Sequence, residues 1–207
     1  MSLRADPALR VHERRAHGGH REAEPAPVSE DGNVAAARFA LDPLLEAVRA
    51  RSTGIDSHIH GELHWRTVGA NGLWVARSVD GVDTEVVFLF ALLHDTMRLN
   101  DGHDPQHGGR AAAFAGELHA EGLLGIASSQ LDVLLHACAE HADGTVSTDP
   151  TVGSCWDADR LDLPRVGVTP RPELFSTDSA LFATDVARSR ARRTSEPPGW
   201  AELLGHL

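Results

Sequence analysis

The sequence predicts an all-α fold, a bundle of amphipathic helices packed around one strongly apolar helix. Three observations carry this expectation. After Val34, apolar residues recur at three- and four-residue steps over most of the chain. Aspartate-proline pairs at Asp42-Pro43, Asp104-Pro105 and Asp149-Pro150 mark helix starts, each offering an N-cap carboxylate before a proline whose missing N–H costs nothing in the first turn. No set of alternating segments offers itself as a sheet, and no internal repeat is visible.

A chain of 207 residues suits one domain with a full core. Residues 1–34 mix Arg, Glu, Ala, Pro, Gly and His with few large apolar side chains, too few to offset the entropy of ordering. They are expected to form a disordered tail, with His12, His17 and His20 solvated. The folded domain is expected over residues 35–207.

Taken in order, the first helix should follow Pro43 and bury Leu44, Leu45 and Val48 before Gly54 breaks it. A second, capped by Asp56 or Ser57, should run to about Arg77 with Ile59, Leu63 and Val68 inward, which would put His60 and His64 on one face. The third, about Asp83 to Thr96, is apolar nearly all round and should be central. Its Val and Phe run would also suit a buried strand, but no partner strand is in sight. Asn100 to Pro105 reads as a loop. Beyond it His107, Ala111, Phe114 and Leu118 share a face. A fifth helix, capped by Ser128 or Ser129, carries Leu131, Leu134, Leu135, Cys138 and His141 or its neighbour inward and ends at Asp143-Gly144. Pro150 opens a sixth, through Asp162. After Pro164 come a proline-punctuated loop, a helix near Asp178 to Arg192, and a last turn around Trp200 to Leu204.

Composition narrows the function. A formal net charge of -11 speaks against a nucleic-acid polymer or an anionic membrane as partner, and in favour of a small molecule. Cys138 and Cys155 lack CxxC spacing, so neither a zinc knot nor a disulfide framework is expected, and both thiols should be buried filler. No stretch approaches the roughly 18 to 20 apolar residues of a spanning helix, and there is no N-terminal apolar leader, which makes the cytoplasm the default location. The outlying number is thirteen histidines, nine of them between His58 and His141.

Among these, His94-Asp95 stands at the polar end of the apolar run Val86 to Leu93. An imidazole and a carboxylate buried together need a partner, and a divalent cation is the usual one. His64, His94-Asp95 and Asp159 fall on three different predicted helices. Two neutral imidazoles and two carboxylates form a mixed N/O set suited to Mn, Fe, Co, Ni or Zn better than to Mg or Ca.

The order H, HD, D resembles the HD-domain superfamily of metal-dependent phosphohydrolases, an all-α fold. His64 stands in His64-Trp-Arg-Thr-Val68, similar to that family's opening H-x-x-x-V helix, and Asp159 in Ala158-Asp159-Arg160-Leu161, similar to its closing A-D-R/K-L segment. The resemblance spans roughly residues 55–165. It implies metal ligation by His64, His94, Asp95 and Asp159 and hydrolysis of a small phosphoester, such as a nucleotide, by a metal-activated water, with Asp95 the catalytic centre. His107 and His141 resemble the extra histidines by which some HD subgroups hold a second ion, bridged by the HD aspartate, here Asp95. One or two ions per chain are therefore implied. The G-Y-P signature of the cyclic-di-GMP branch is missing.

Arg98 stands where many relatives have Lys and could pair bidentately with phosphate; Arg110 is a second candidate. His136 could replace or join His141, and Asp157 could stand in for Asp159. Asp162 is expected in a structural or substrate-side role, and His58, His60, His103 and His119 in supporting or exposed positions. Trp65, Trp74 and Trp156 read as core or rim. Asp56-Ser-His58-Ile-His60 also matches the D-x-H-x-H of barrel amidohydrolases, but the chain is too short and lacks alternating strands. Two other functions fit the ligand set: oxidation with O₂ at a mixed-valence di-iron centre, as in some six-ligand HD proteins, and a catalytically silent ligand-binding or sensor module. A homodimer is compatible with a small helical domain.

Overall fold

The computed structural model describes residues 40–178 and 182–207, all within one compact unit, Ala35–Leu207. The expected N-terminal tail lies outside the described residues. Among the described residues every regular element is helical: α1 (Leu41–Arg51), α2 (Glu62–Ala76), α3 (Thr84–Leu93), α4 (His107–Ala120), α5 (Ser128–Glu140), α6 (Pro150–Arg160), α7 (Phe182–Thr194) and α8 (Trp200–Leu204), with short 3-10 turns at Leu163–Val166 and Pro172–Leu174. The all-α expectation holds, and none of these helices is long and apolar enough to cross a membrane.

The run Val86 to Leu93 is helix, not strand, and it is central. Each of its eight residues is at most 1 % exposed, and α3 packs on α2, α5 and α6. A helix apolar all round can be stable only when covered on every side. It starts where the Asp83 carboxylate accepts the N–H groups of Glu85 and Val86. Helices α2 and α3 come close at Gly72, where a Cβ would stand 2.5 Å from Val87 Cγ1. Helices α4 and α5 meet at Gly108, where a Cβ would stand 2.5 Å from the Cys138 carbonyl oxygen.

Of the three aspartate-proline pairs only Asp149-Pro150 behaves as expected, its carboxylate accepting from Thr151 and Val152 N–H with Pro150 in the first turn. Helix α1 begins at Leu41, ahead of Asp42, with Ala40 as N-cap. Asp104 does not cap α4; its carboxylate takes the Leu99 N–H and the Arg110 guanidinium, and the helix begins at His107. Ser128 and Ser129 lie inside α5, whose N-cap is Ala127; the Gln130 side chain accepts the Ala127 N–H instead.

Helix α2 starts later than expected. Ser57 turns residues 57–60 by accepting the N–H groups of Ile59 and His60, and the helix begins only after Gly61. His60 therefore precedes the helix that carries His64 and does not share a helical face with it. The phase also differs: Leu63 is exposed and Ile59 half-buried, while Trp65 and Val68 fill the core. Trp156 is buried and Trp74 half-buried, as core and rim. Cys138 and Cys155 are free and buried, and burial pushes both thiols up.

Candidate metal centre

Four imidazoles and two carboxylates converge where α2, the end of α3, the start of α4, the end of α5 and α6 come together. His64 projects from the first turn of α2. His94 and His141 are the C-cap residues of α3 and α5, and His107 is the first residue of α4. Asp95 follows in the turn after α3, and Asp159 comes from the last turn of α6. All four histidines and Asp95 are at most 5 % exposed.

The tautomers follow from the acceptors. His64 Nδ1–H donates to Asp162 Oδ2 at 2.8 Å. His94 Nδ1–H is shared by the carbonyls of Phe90 at 3.2 Å and Ala91 at 3.3 Å. His107 Nδ1–H donates to the Asp104 carbonyl at 2.5 Å, and His141 Nδ1–H to the Cys138 carbonyl at 2.8 Å. Carbonyls and carboxylates only accept, so each Nδ1 carries a proton, and in the neutral imidazole each Nε2 presents a lone pair. The Phe90 carbonyl also accepts the His94 backbone N–H, and a histidine at a C-cap can add its ring N–H to the last carbonyls of its helix.

The four Nε2 atoms meet the carboxylates in two groups. His64 Nε2 stands 3.2 Å from His94 Nε2, 3.2 Å from Asp159 Oδ1 and 3.5 Å from Asp95 Oδ2. His107 Nε2 stands 2.9 Å from His141 Nε2 and 3.2 Å from Asp95 Oδ1, with His141 Nε2 3.6 Å from that oxygen. Neighbouring ligands of one ion, each about 2.0 to 2.2 Å from it, lie about 3 to 3.5 Å apart. The spacing therefore fits ligation, and the two oxygens of Asp95 face different histidine pairs.

Lone pairs and carboxylates cannot face one another at these distances without positive charge between them. A proton or a cation must supply it. Burial and Arg165 act to lower His64, but its hydrogen bonds with Asp159, Asp162 and Asp95 prevail and push it up to about 9. Burial pushes His94 down to about 3 despite Asp95 and Asp159. Burial would raise Asp95, yet His94 and the bonds from His107, His141 and His64 hold it well below the usual carboxylate range. Asp159 is likewise held low against burial, by His64, His94 and Arg165. His64, His94 and Asp159 lie close enough together to hold a metal ion, and so do His94, Asp95 and His141.

The remaining candidates divide. Arg98 Nη1 lies 3.3 Å from Asp95 Oδ1 and 3.1 Å from His107 Nε2, beside the second group. Arg110 is turned away: its guanidinium bonds the Met97 carbonyl and Asp104, and it does not line the cavity above the cluster. It steadies the residue whose carbonyl orients His107. Asp157 points elsewhere, accepting from Ser176 N–H and from the N–H and hydroxyl of Thr177. His136 is exposed, 3.4 Å from Glu140. His58 and His103 are exposed and His119 is half-buried.

Sequence reasoning gave Asp162 no specific partner, although its three-residue step from Asp159 puts both near one face. His60, expected in a supporting or exposed position, takes the supporting one. His60 is buried, donates from Nδ1 to Asp101 at 3.1 Å, and lines the cavity; Ser57 Oγ donates to the same carboxylate. Arg165, on the Leu163–Val166 turn, was not anticipated. The cavity is about 280 Å³ and opens over Asp95, His107, His141 and Asp159, with Leu163, Val166, Pro170, Leu174 and Phe175 forming an apolar wall. Comparison of the chain with family models, with curated proteins and with solved structures finds no match.

Proposed function

We propose that this is an HD-type metal-dependent phosphohydrolase acting on a small phosphoester, nucleotides among the candidates. The observation that carries the reading is the two-sided environment of Asp95, with His64 and His94 at Oδ2 and His107 and His141 at Oδ1. His64, His94, Asp95 and Asp159 would hold one divalent transition-metal ion, and Asp95, His107 and His141 a second. Such ions, when bound, supply a water of lowered pKa and Lewis acidity toward phosphoryl oxygens.

The chain's own part is to fix the ligand atoms, exclude bulk water and orient the ester. The pinned Nδ1 protons do the first, and the apolar wall the second. Arg98 stands beside Asp95, and its guanidinium would donate to a phosphoryl oxygen in exchange for one of its present contacts with Asp95, Asn100 or Gly102. A cavity of about 280 Å³ lies at the small end of small-molecule sites, which favours a mononucleotide or smaller ester over a dinucleotide.

The test is metal analysis of protein purified without chelator, joined to a phosphoester panel with Mn, Co, Ni and Fe. Asp95→Ala should lose bound metal and turnover together, and unchanged turnover in a metal-stripped Asp95→Ala protein would sink the reading. The same six-residue N/O set also suits a di-iron centre that activates O₂. Two irons per chain with an inter-valence electron paramagnetic resonance signal, and no phosphatase activity, would favour that reaction instead.

A further inference from the structure

Four arginines line the cavity of this acidic chain, and they differ in what their guanidinium donors meet. Arg98 bonds Asp95, Asn100 and Gly102; Arg160 bonds the Leu174 and Thr145 carbonyls; Arg171 is exposed, 3.8 Å from Glu173. Arg165 differs. Its side chain is 5 % exposed, its Nε donates to the Ile59 carbonyl at 3.1 Å, and its buried Nη1 has no hydrogen-bond acceptor. Two carboxylates face its charge, Asp159 at 3.9 Å from Nη1 and Asp162 at 4.0 Å from Nε, at ion-pair distance but too far for a hydrogen bond. A buried guanidinium with an open donor is costly unless a ligand completes it.

The turn that carries Arg165 also supplies Leu163 and Val166 to the apolar wall, with Leu174 and Phe175 beside them. A cationic donor and apolar surface are thus offered from one short segment next to Asp159. We propose that Arg165 is a second residue, besides Arg98, that binds the substrate's anion, and that the substrate is a small phosphomonoester whose organic part is apolar or aromatic and lies on this wall. This rests on the phosphohydrolase reading for the ester; the anion site itself needs no turnover. Arg165 Nη1, covered in the structure, donates to a non-reacting phosphate oxygen once the guanidinium shifts toward the cavity about its Nε bond to Ile59.

The experiment titrates manganese-loaded protein with phenylphosphonate and with methylphosphonate, neither of which has an ester bond to break. Phenylphosphonate should bind more tightly than methylphosphonate; equal affinity would overturn the apolar half of the proposal. Arg165→Gln keeps a donor for Ile59 but removes the charge, and should weaken both ligands by roughly tenfold to a hundredfold at unchanged metal content and melting temperature. Arg165→Lys should recover part of the loss. Unaltered phosphonate affinity in Arg165→Gln, or a loss that follows loss of metal, would overturn the assignment. Phenyl phosphate separates the two ideas. Hydrolysis with the same KM in Arg165→Gln removes Arg165 and leaves the phosphohydrolase, whereas Arg165-dependent phosphonate binding without hydrolysis by the wild type does the reverse.

Discussion

Asp162 holds His64: its Oδ2 accepts the Nδ1–H at 2.8 Å, with the carboxylate 2 % exposed, and so turns Nε2 toward Asp159 and Asp95. Partners of this kind fix the tautomer of a ligand and raise its basicity, and their loss typically costs about tenfold to a hundredfold in metal affinity. Asp162→Asn is expected to lower metal affinity by that factor while the helical circular-dichroism signal stays. Unchanged affinity in a competition titration against a chelator would contradict the role.

Metal-free protein should have a stability maximum near pH 6.5. His64 is raised to about 9 in the folded state, so the stability it adds is complete below 6.5 and is lost as pH climbs through 9. His141 is raised too and acts in the same direction. His94 is lowered to about 3, so unfolding takes up a proton and stability falls as pH drops from 6.5 toward 3. The lowered Asp95 and Asp159 add to the acid loss. A bound cation replaces the His64 proton, and manganese should remove the alkaline decline. Melting temperatures from pH 5 to 9, with chelator and with manganese, check this; a flat chelated profile between 6.5 and 9 would refute it.

Arg98 and Arg110 should part company. Arg98 Nη1 faces the same two atoms, Asp95 Oδ1 and His107 Nε2, that a second ion would use. Arg98→Ala is expected to tighten the second metal equivalent several-fold and to weaken phosphoester binding. Arg110→Ala should instead lower the melting temperature through loss of the Asp104 contact and leave KM unchanged. Calorimetric metal titration and steady-state kinetics on both variants decide it.

Gly108→Ala should damage one half of the cluster selectively. The added methyl would stand 2.5 Å from the Cys138 carbonyl and 2.7 Å from that of Ala139, so α4 and α5 must part. Overpacking of this kind costs typically about 1 to 3 kcal/mol. Because His107 adjoins Gly108 and His141 hangs from the Cys138 carbonyl, the variant should keep one metal equivalent and lose the other.

The helices were legible because burial of α3 and the faces of α4 and α5 are written in apolar spacing. Helix starts were less so. Asp149 faces its own helix, while Asp104 is claimed by Arg110 and Leu99, contacts that exist only once the chain has folded. The positions that the structure brings together at His64, His94, Asp95, His107, His141 and Asp159 were recognisable from residue type and order. Arg165 and Asp162 were not, since a guanidinium without an acceptor and a carboxylate under an imidazole leave no periodic trace. The shared helical face expected for His60 and His64 fails because a serine side chain, through two backbone N–H groups, displaces the start of α2.

Three of the four imidazoles take their orientation from carbonyls three or four residues earlier in their own chain segment, and only His64 takes it from another side chain. A carbonyl belongs to every residue type, so replacing Phe90, Asp104 or Cys138 leaves that acceptor in place as long as the backbone path survives. Adjustment of the cluster by single substitutions is thereby concentrated at Asp162. Drift elsewhere can rewrite the side chains around the centre without re-aiming His94, His107 or His141, and a designer wishing to change the preferred ion would have one handle of this kind to turn.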